Sequence, residues 1–144
     1  MQKVNDNTFY LIFALAITID QLSKFVVSKL SWSIFFNDQF AFSLPVPWYA
    51  MYFIYAIILL AMSWFVSENW KNFSQLQKFA WSLVYAGGVS NILERIILGH
   101  VRDFIYIAGG ILNIADFYIL FGLVLLLVST RSKSENNPHS SEKL

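Results

Sequence analysis

The chain has 144 residues, of which 57% are hydrophobic, 18% aromatic and 13% charged, with a mean hydropathy of +0.54. That is too apolar for a soluble domain and points to one polytopic membrane domain. A formal net charge of +1, no cysteine and two isolated histidines exclude an electrostatic nucleic-acid binder, a thiolate nucleophile and a zinc centre, so hydrolytic chemistry must come from Asp, Glu, Ser, Lys or Tyr.

Residues 9–27 form the first apolar stretch, roughly 19 residues and long enough to cross a hydrocarbon core as a helix. Lys3 precedes it as in a signal peptide, but no small-x-small cleavage pattern follows and the apolar character continues past Asp20, so it reads as a retained anchor. Residues 29–45 mix Ser, Asn, Asp and Gln with aromatics, as a structured boundary loop does. Pro45 and Pro47 close that loop and open the second span, residues 48–66, which carries Trp48, Tyr49 and Tyr52 at one end and Trp64 at the other, like interface belts. A polar connection, residues 67–78, leads to the third span, residues 79–98. The run VRDFIYI, residues 101–107, alternates as a strand does, and residues 114–128 are the apolar body of a fourth span. Residues 129–144 are polar and expected to be disordered. The expected fold is therefore an all-α membrane domain over residues 1–128. It has four transmembrane helices, with a small strand-containing extracytoplasmic region between helices one and two and before helix four.

Lys3, Lys71, Lys78, Arg131 and Lys133 flank one side of these spans. By the positive-inside rule both termini are then cytoplasmic and the loops 29–45 and 99–112 face outward.

An ionisable residue in a span costs about 3 kcal/mol at the helix centre, so where such residues gather is informative. Asp20 and Lys24 are four apart on one helix face, in the favourable order of acid before base. They can be a self-neutralising pair or part of a site. Asn91, Glu94 and Arg95 lie at spacings of three and four beside Gly87, Gly88 and Ser90, small residues that let another helix approach and turn the polar trio inward; a structural network is the simplest role for Glu94 and Arg95. Asn37 suits a turn. Asn113 can cap the fourth helix, with Asp116 in its first turn complementing the dipole. Asp103, between Arg102 and Phe104, can be a salt-bridge partner of an arginine. Each residue has a structural explanation, but their convergence on one membrane face from several spans is harder to explain structurally.

Together these residues resemble lipoprotein signal peptidase (signal peptidase II), a bacterial membrane aspartyl protease family, over nearly the whole chain. IDQLSK, residues 19–24, looks like the family's Asp-Gln-x-x-Lys box, and NDQFAFS, residues 37–43, its Asn-x-Gly-Ala-Ala-Phe-Ser loop. GGVSNILER, residues 87–95, resembles a glycine-rich box ending in Gly-Asn-x-x-Asp-Arg, while GHVRDFI and LNIAD match Gly-x-Val-x-Asp-Phe and Phe-Asn-x-Ala-Asp. Gln39 and Phe40 replace Gly-Ala, Ser90 a glycine, Glu94 an aspartate and Leu112 a phenylalanine. The resemblance implies a divergent member that keeps both catalytic aspartates, Asp103 and Asp116, with Asp20, Lys24, Asn37, Asn91, Glu94, Arg95 and Asn113 binding substrate or supporting the site. It implies no metal or organic cofactor. It further implies a bacterial cytoplasmic-membrane enzyme with its site at the outer face, cutting diacylglyceryl prolipoproteins before the lipidated cysteine. Membrane lipid surrounds it, nucleic acid is no partner, and a closed four-helix site needs no second copy. The alternatives are an inactive relative that binds lipidated signal peptides and a small non-enzymatic assembly or transport protein. A transporter would be expected to show midplane polar residues and repeat symmetry, and neither is present.

Overall fold

The computed structural model describes residues 5–30, 32–38, 46–107 and 109–135. Gln39 and Phe40, the departures in the first loop, lie outside the described residues, as do residues 136–144 of the polar tail.

Four long helices carry the fold. Helix α1 is Asp6–Lys29, started by Asn5, whose side chain accepts the Asn7 amide at 3.1 Å, with Asp6 in the first turn. Helix α2 is Trp48–Asn69; Pro47 sits at its cap position, and a 3-10 turn, Trp70–Asn72, follows. Helix α3 is Gln75–Leu98. Its start is a reciprocal box in which Ser74 accepts from the Gln77 amide and the Gln77 side chain accepts from the Ser74 amide. Gly99, at φ 79°, ends it in the left-handed region that glycine adopts without strain. Helix α4 is Ile114–Glu135. The connection read as residues 67–78 is therefore shorter than its polarity implies, because α2 reaches Asn69 and the Ser74–Gln77 box starts α3 before Phe79. Likewise α4 runs on past Val128 to Glu135, so the first polar residues of the tail are helical.

Three of the four helices are long and apolar enough to cross a membrane: Asp6–Lys29, Tyr49–Asn72 and Ile114–Arg131. Helix α3 falls short by composition, since Lys78, Asn91, Glu94 and Arg95 lie within it, and all four are buried. It is the inner helix, packed most extensively on α4 and next on α1. Ala16, Leu83 and Ala86 form the buried centre, with Ile12, Phe13, Ile17, Phe79 and Tyr118 against it. Helix α2 leans on α3 through the Tyr85–Ser63 hydroxyl contact and through Phe65 against Trp81. Leu11, Leu15, Phe53, Leu60, Leu120 and Leu127 point outward and exposed, a surface suited to hydrocarbon.

Two glycines set the α3–α4 distance. A Cβ on Gly87 would strike the Ala115 carbonyl oxygen and lie 2.7 Å from Ile119 Cγ1; one on Gly122 would lie 2.7 Å from the Ala80 carbonyl oxygen and 2.7 Å from Val84 Cγ2. Gly88 has nothing within 4 Å, so only one glycine of the expected pair serves close approach.

At one end of the bundle the connections form two small antiparallel pairs. Strand β1, Phe35–Asn37, pairs with β2, Val101–Asp103, placing Phe35 opposite Asp103 and Asn37 opposite Val101. Strand β3, Ile105–Ile107, pairs with β4, Gly110–Leu112, and the Phe104 amide donates to the Leu112 carbonyl at 3.0 Å. The expected alternating run is thus two strands, and Asp103 ends the first.

Candidate active site

Four buried or part-buried carboxylates meet where α1, α3, β2 and the start of α4 converge, and their partners divide them into two kinds. Asp20 and Glu94 are charge-paired. The Lys24 ammonium, fully buried, lies 2.8 Å from Asp20 Oδ2 and 2.8 Å from Glu94 Oε2, and donates to Asn91 Oδ1 at 2.9 Å. Glu94 Oε1 takes the Arg102 Nε–H at 2.6 Å, and Glu94 Oε2 accepts the Arg102 backbone amide at 3.3 Å, tying β2 to α3. Asp20 also accepts from Ser90 Oγ at 2.7 Å and from the Ala115 backbone amide at 2.9 Å. A carboxylate from α1 thereby satisfies a free N–H at the start of α4, where the helix dipole favours negative charge. The Asp20–Lys24 pair of the sequence is one edge of a larger network, and Ser90, noted only as small, is a hydrogen-bonding member that also accepts from Gln21 Nε2 at 2.8 Å. A hydroxyl bonded to an acid 70 residues away on another helix leaves no mark in the sequence.

Asp103 and Asp116 are held by neutral amides instead. Asp103 Oδ1 accepts from Asn113 Nδ2 at 2.6 Å and Oδ2 from Asn37 Nδ2 at 3.0 Å. Asp116 Oδ1 accepts from Asn91 Nδ2 at 2.9 Å, and Oδ2 from the Asn113 backbone amide at 2.9 Å. Asn113 Oδ1 in turn accepts the Asp116 amide at 3.2 Å, so the two residues make a reciprocal cap at the start of α4. Asn113 therefore touches both aspartates, one through its side chain and the other through cap bonds. The expected cap role of Asn113 and first-turn position of Asp116 hold. The salt-bridge explanation of Asp103 does not: neighbouring strand residues face opposite ways, and the guanidinium of Arg102 goes to Glu94.

Asp103 is 2% exposed and belongs to β2, outside the helices. Burial pushes its carboxyl above the usual carboxylate range, against the opposing pull of the Asn37 and Asn113 hydrogen bonds and the Lys24 and Arg95 charges. Arg95 faces α2: its guanidinium lies 5.6 Å from the centre of the Tyr55 ring, and its carbonyl accepts the Tyr52 hydroxyl at 2.7 Å. The structure thus brings Asp20, Lys24, Asn37, Asn91, Glu94, Asp103, Asn113 and Asp116 into one connected cluster, with Arg95 on its α2 side. Two carboxyls held by amides are oriented without being neutralised, a state that leaves proton transfer open to them.

Known proteins give this arrangement a context. A lipoprotein signal peptidase of Fusobacterium nucleatum is 30% identical over 145 residues, covering 88% of this chain and 88% of that protein; one of Caldicellulosiruptor bescii is 31% identical over 132 residues, covering 82% and 87%. A bacterial membrane enzyme solved by the in meso method at 2.3 Å superposes with a TM-score of 0.76 at 24% identity, covering 96% of this chain and 94% of that one, so the fold is shared. The sequence model of the family described as Signal peptidase (SPase) II matches residues 12–131, and the chain belongs to that family.

Proposed function

We propose that the protein is an aspartyl endopeptidase that removes signal peptides from diacylglyceryl-modified prolipoproteins, cutting before the lipidated cysteine, with Asp103 and Asp116 as its catalytic pair. The observation that carries this reading is the contrast among the buried acids. Asp20 and Glu94 are ion-paired to Lys24 and Arg102, whereas among the described residues Asp103 and Asp116 are hydrogen-bonded by amides and share Asn113. Relatives named as lipoprotein signal peptidases support the substrate class.

Two neighbouring carboxyls hold one proton between them more readily than none or two. Asp116, in the first turn of α4 where the helix dipole favours the charged form, is the base, and Asp103 is the acid. Asp116 takes a proton from water as the water oxygen bonds to the scissile carbonyl carbon, and Asp103 gives its proton to the carbonyl oxygen. The tetrahedral intermediate then breaks its C–N bond, the proton on Asp116 passes to the leaving amine, and Asp103 recovers its own from the collapsing hydroxyl. Asn37, Asn91, Arg95 and Asn113 orient substrate backbone and acids, while Asp20, Lys24 and Glu94 fix the helices that carry them.

In this reading residues 1–128 are one peptidase unit in the bacterial cytoplasmic membrane. Helix α3 crosses with the other three, both termini are cytoplasmic, the site lies at the outer boundary and one copy suffices. A substrate anchored in the bilayer by its signal peptide and its lipid is presented at that boundary, so the enzyme need only admit water to the bond. The test is a cleavage assay on a diacylglyceryl prolipoprotein: the native chain releases the signal peptide, and Asp103→Asn and Asp116→Asn each fold but release none. Processing by either variant at the native rate would overturn the reading.

A further inference from the structure

The buried ammonium of Lys24 has a use beyond neutralising acids. An ammonium has three protons and no acceptor, and those of Lys24 are directed at Asp20 Oδ2, Glu94 Oε2 and the amide oxygen of Asn91, at 2.8, 2.8 and 2.9 Å. Two carboxylates are already enough to balance it; the third proton goes to a neutral side chain. Because Asn91 Oδ1 is committed to Lys24, its Nδ2 must face the other way, and there it meets Asp116 Oδ1 at 2.9 Å. The second oxygen of Asp116 receives the Asn113 backbone N–H, another group that can only donate. Both oxygens of Asp116 are thus opposed by donors, and a proton on either would face an N–H. Asn113 is oriented by the same logic, since its Oδ1 takes the Asp116 amide and leaves Nδ2 for Asp103 Oδ1 at 2.6 Å. The remaining oxygen, Asp103 Oδ2, accepts from Asn37 Nδ2 at 3.0 Å.

We infer that Lys24 is a positioning residue that, by fixing the Asn91 amide with its N–H toward Asp116, holds Asp116 in its proton-accepting form. This rests on the reading of Asp103 and Asp116 as the catalytic pair. Among the described residues, the ionisable groups around the pair are Asp20 and Lys24 from α1, Glu94 and Arg95 from α3 and Arg102 from β2. Lys24 is hydrogen-bonded to an amide that itself donates to Asp116. The chain of contacts runs ammonium to amide oxygen, then amide nitrogen to carboxylate. It predicts that Lys24 and Asn91 act as one unit on catalysis.

The experiment measures kcat and KM on a diacylglyceryl prolipoprotein across pH 5 to 9 for the full-length protein in lipid, with folding followed by thermal melting. Asn91→Leu keeps the volume and the Lys24–Asp20–Glu94 cluster while deleting the relay. Its kcat is expected to fall by about tenfold or more, the loss that follows removing a hydrogen bond to a charged group, with KM within about twofold. The acid limb of kcat moves to higher pH, because the acceptor form of Asp116 has lost a donor. Lys24→Met has the same effect where it folds, and the double variant is no slower than the slower single one. If Lys24→Met does not fold, the Asn91→Leu profile and the rescue of activity by Lys24→Arg decide the matter. An Asn91→Leu profile superimposable on the native one, a change in KM alone, or effects of the two substitutions that multiply would overturn the inference. Asp103→Asn and Asp116→Asn in the same assay separate the two ideas. Activity in either sinks the catalytic pair itself, whereas inactivity in both beside an unshifted Asn91→Leu profile sinks the relay alone.

Discussion

Asp103 illustrates how far a residue's neighbours in sequence mislead about its neighbours in space. With Arg102 adjacent, a salt bridge is the economical explanation. Strand geometry sends the two side chains to opposite faces, so Arg102 reaches Glu94 and Asp103 turns to Asn37 and Asn113. Asn113 and Asp116 were legible because a cap is a local event, spelled out within one turn. Ser90, Gln21 and the Ala115 amide were not, because their partners lie on another helix. The raised pKa of Asp103 has a consequence for stability, and its sign is fixed: the folded state binds this proton more tightly than the unfolded chain does. Stability from the protonated carboxyl is present below the unfolded value and is lost as pH rises through the folded value. Thermal melting of the native chain against Asp103→Asn is therefore expected to show the native chain losing ground relative to the variant as pH rises through that window. A difference in melting temperature that does not change with pH would contradict the assignment.

Among the elements, α3 departs furthest from its sequence description. Its polar residues lower its hydropathy below that of its neighbours; the sequence turned its polar trio inward, and the structure adds that it packs on both α4 and α1. A helix surrounded by protein can carry Lys, Asn, Glu and Arg, provided each finds a partner, and a hydropathy window cannot see partners. Its glycines were legible as a kind and not one by one. Gly87 and Gly122 sit where backbone meets backbone, so Gly87→Val and Gly122→Val are expected to force α3 and α4 apart and lower the melting temperature by several degrees or prevent folding. Gly88→Ala meets nothing within 4 Å and is expected to leave melting unchanged or raise it slightly, since alanine is the better helix former. Equal tolerance at all three positions would show that the helices do not need this approach.

For the whole molecule, the polar groups divide between two ends. One end holds the cluster described above. At the other, the buried Lys78 pairs with Asp6 at 2.6 Å and lies over the rings of Trp70 and Phe9, at 4.9 and 5.9 Å, joining the start of α3 to the start of α1. That clasp was hidden because Lys78 reads as part of a polar connection. The proposed orientation can be read directly, because the chain has no cysteine of its own. In intact cells Asp38→Cys is expected to react with a membrane-impermeant maleimide, and Asn72→Cys only after the membrane is opened. The reverse pattern would invert the topology and with it the side on which the pair works.

The bond from the Ala115 amide to Asp20 joins residues 95 apart in sequence. It sets a schedule for synthesis. Asp20, Lys24, Asn91 and Glu94 leave the ribosome before Asp116, and α4 cannot be pinned until it has itself entered the bilayer, late in a chain built from its amino end. Until then Asp103 has neither Asn113 nor Asp116 beside it. A partly made chain can hold its buried ions together, yet it lacks the second acid of the proposed pair, so on that reading the site is complete only with the last helix.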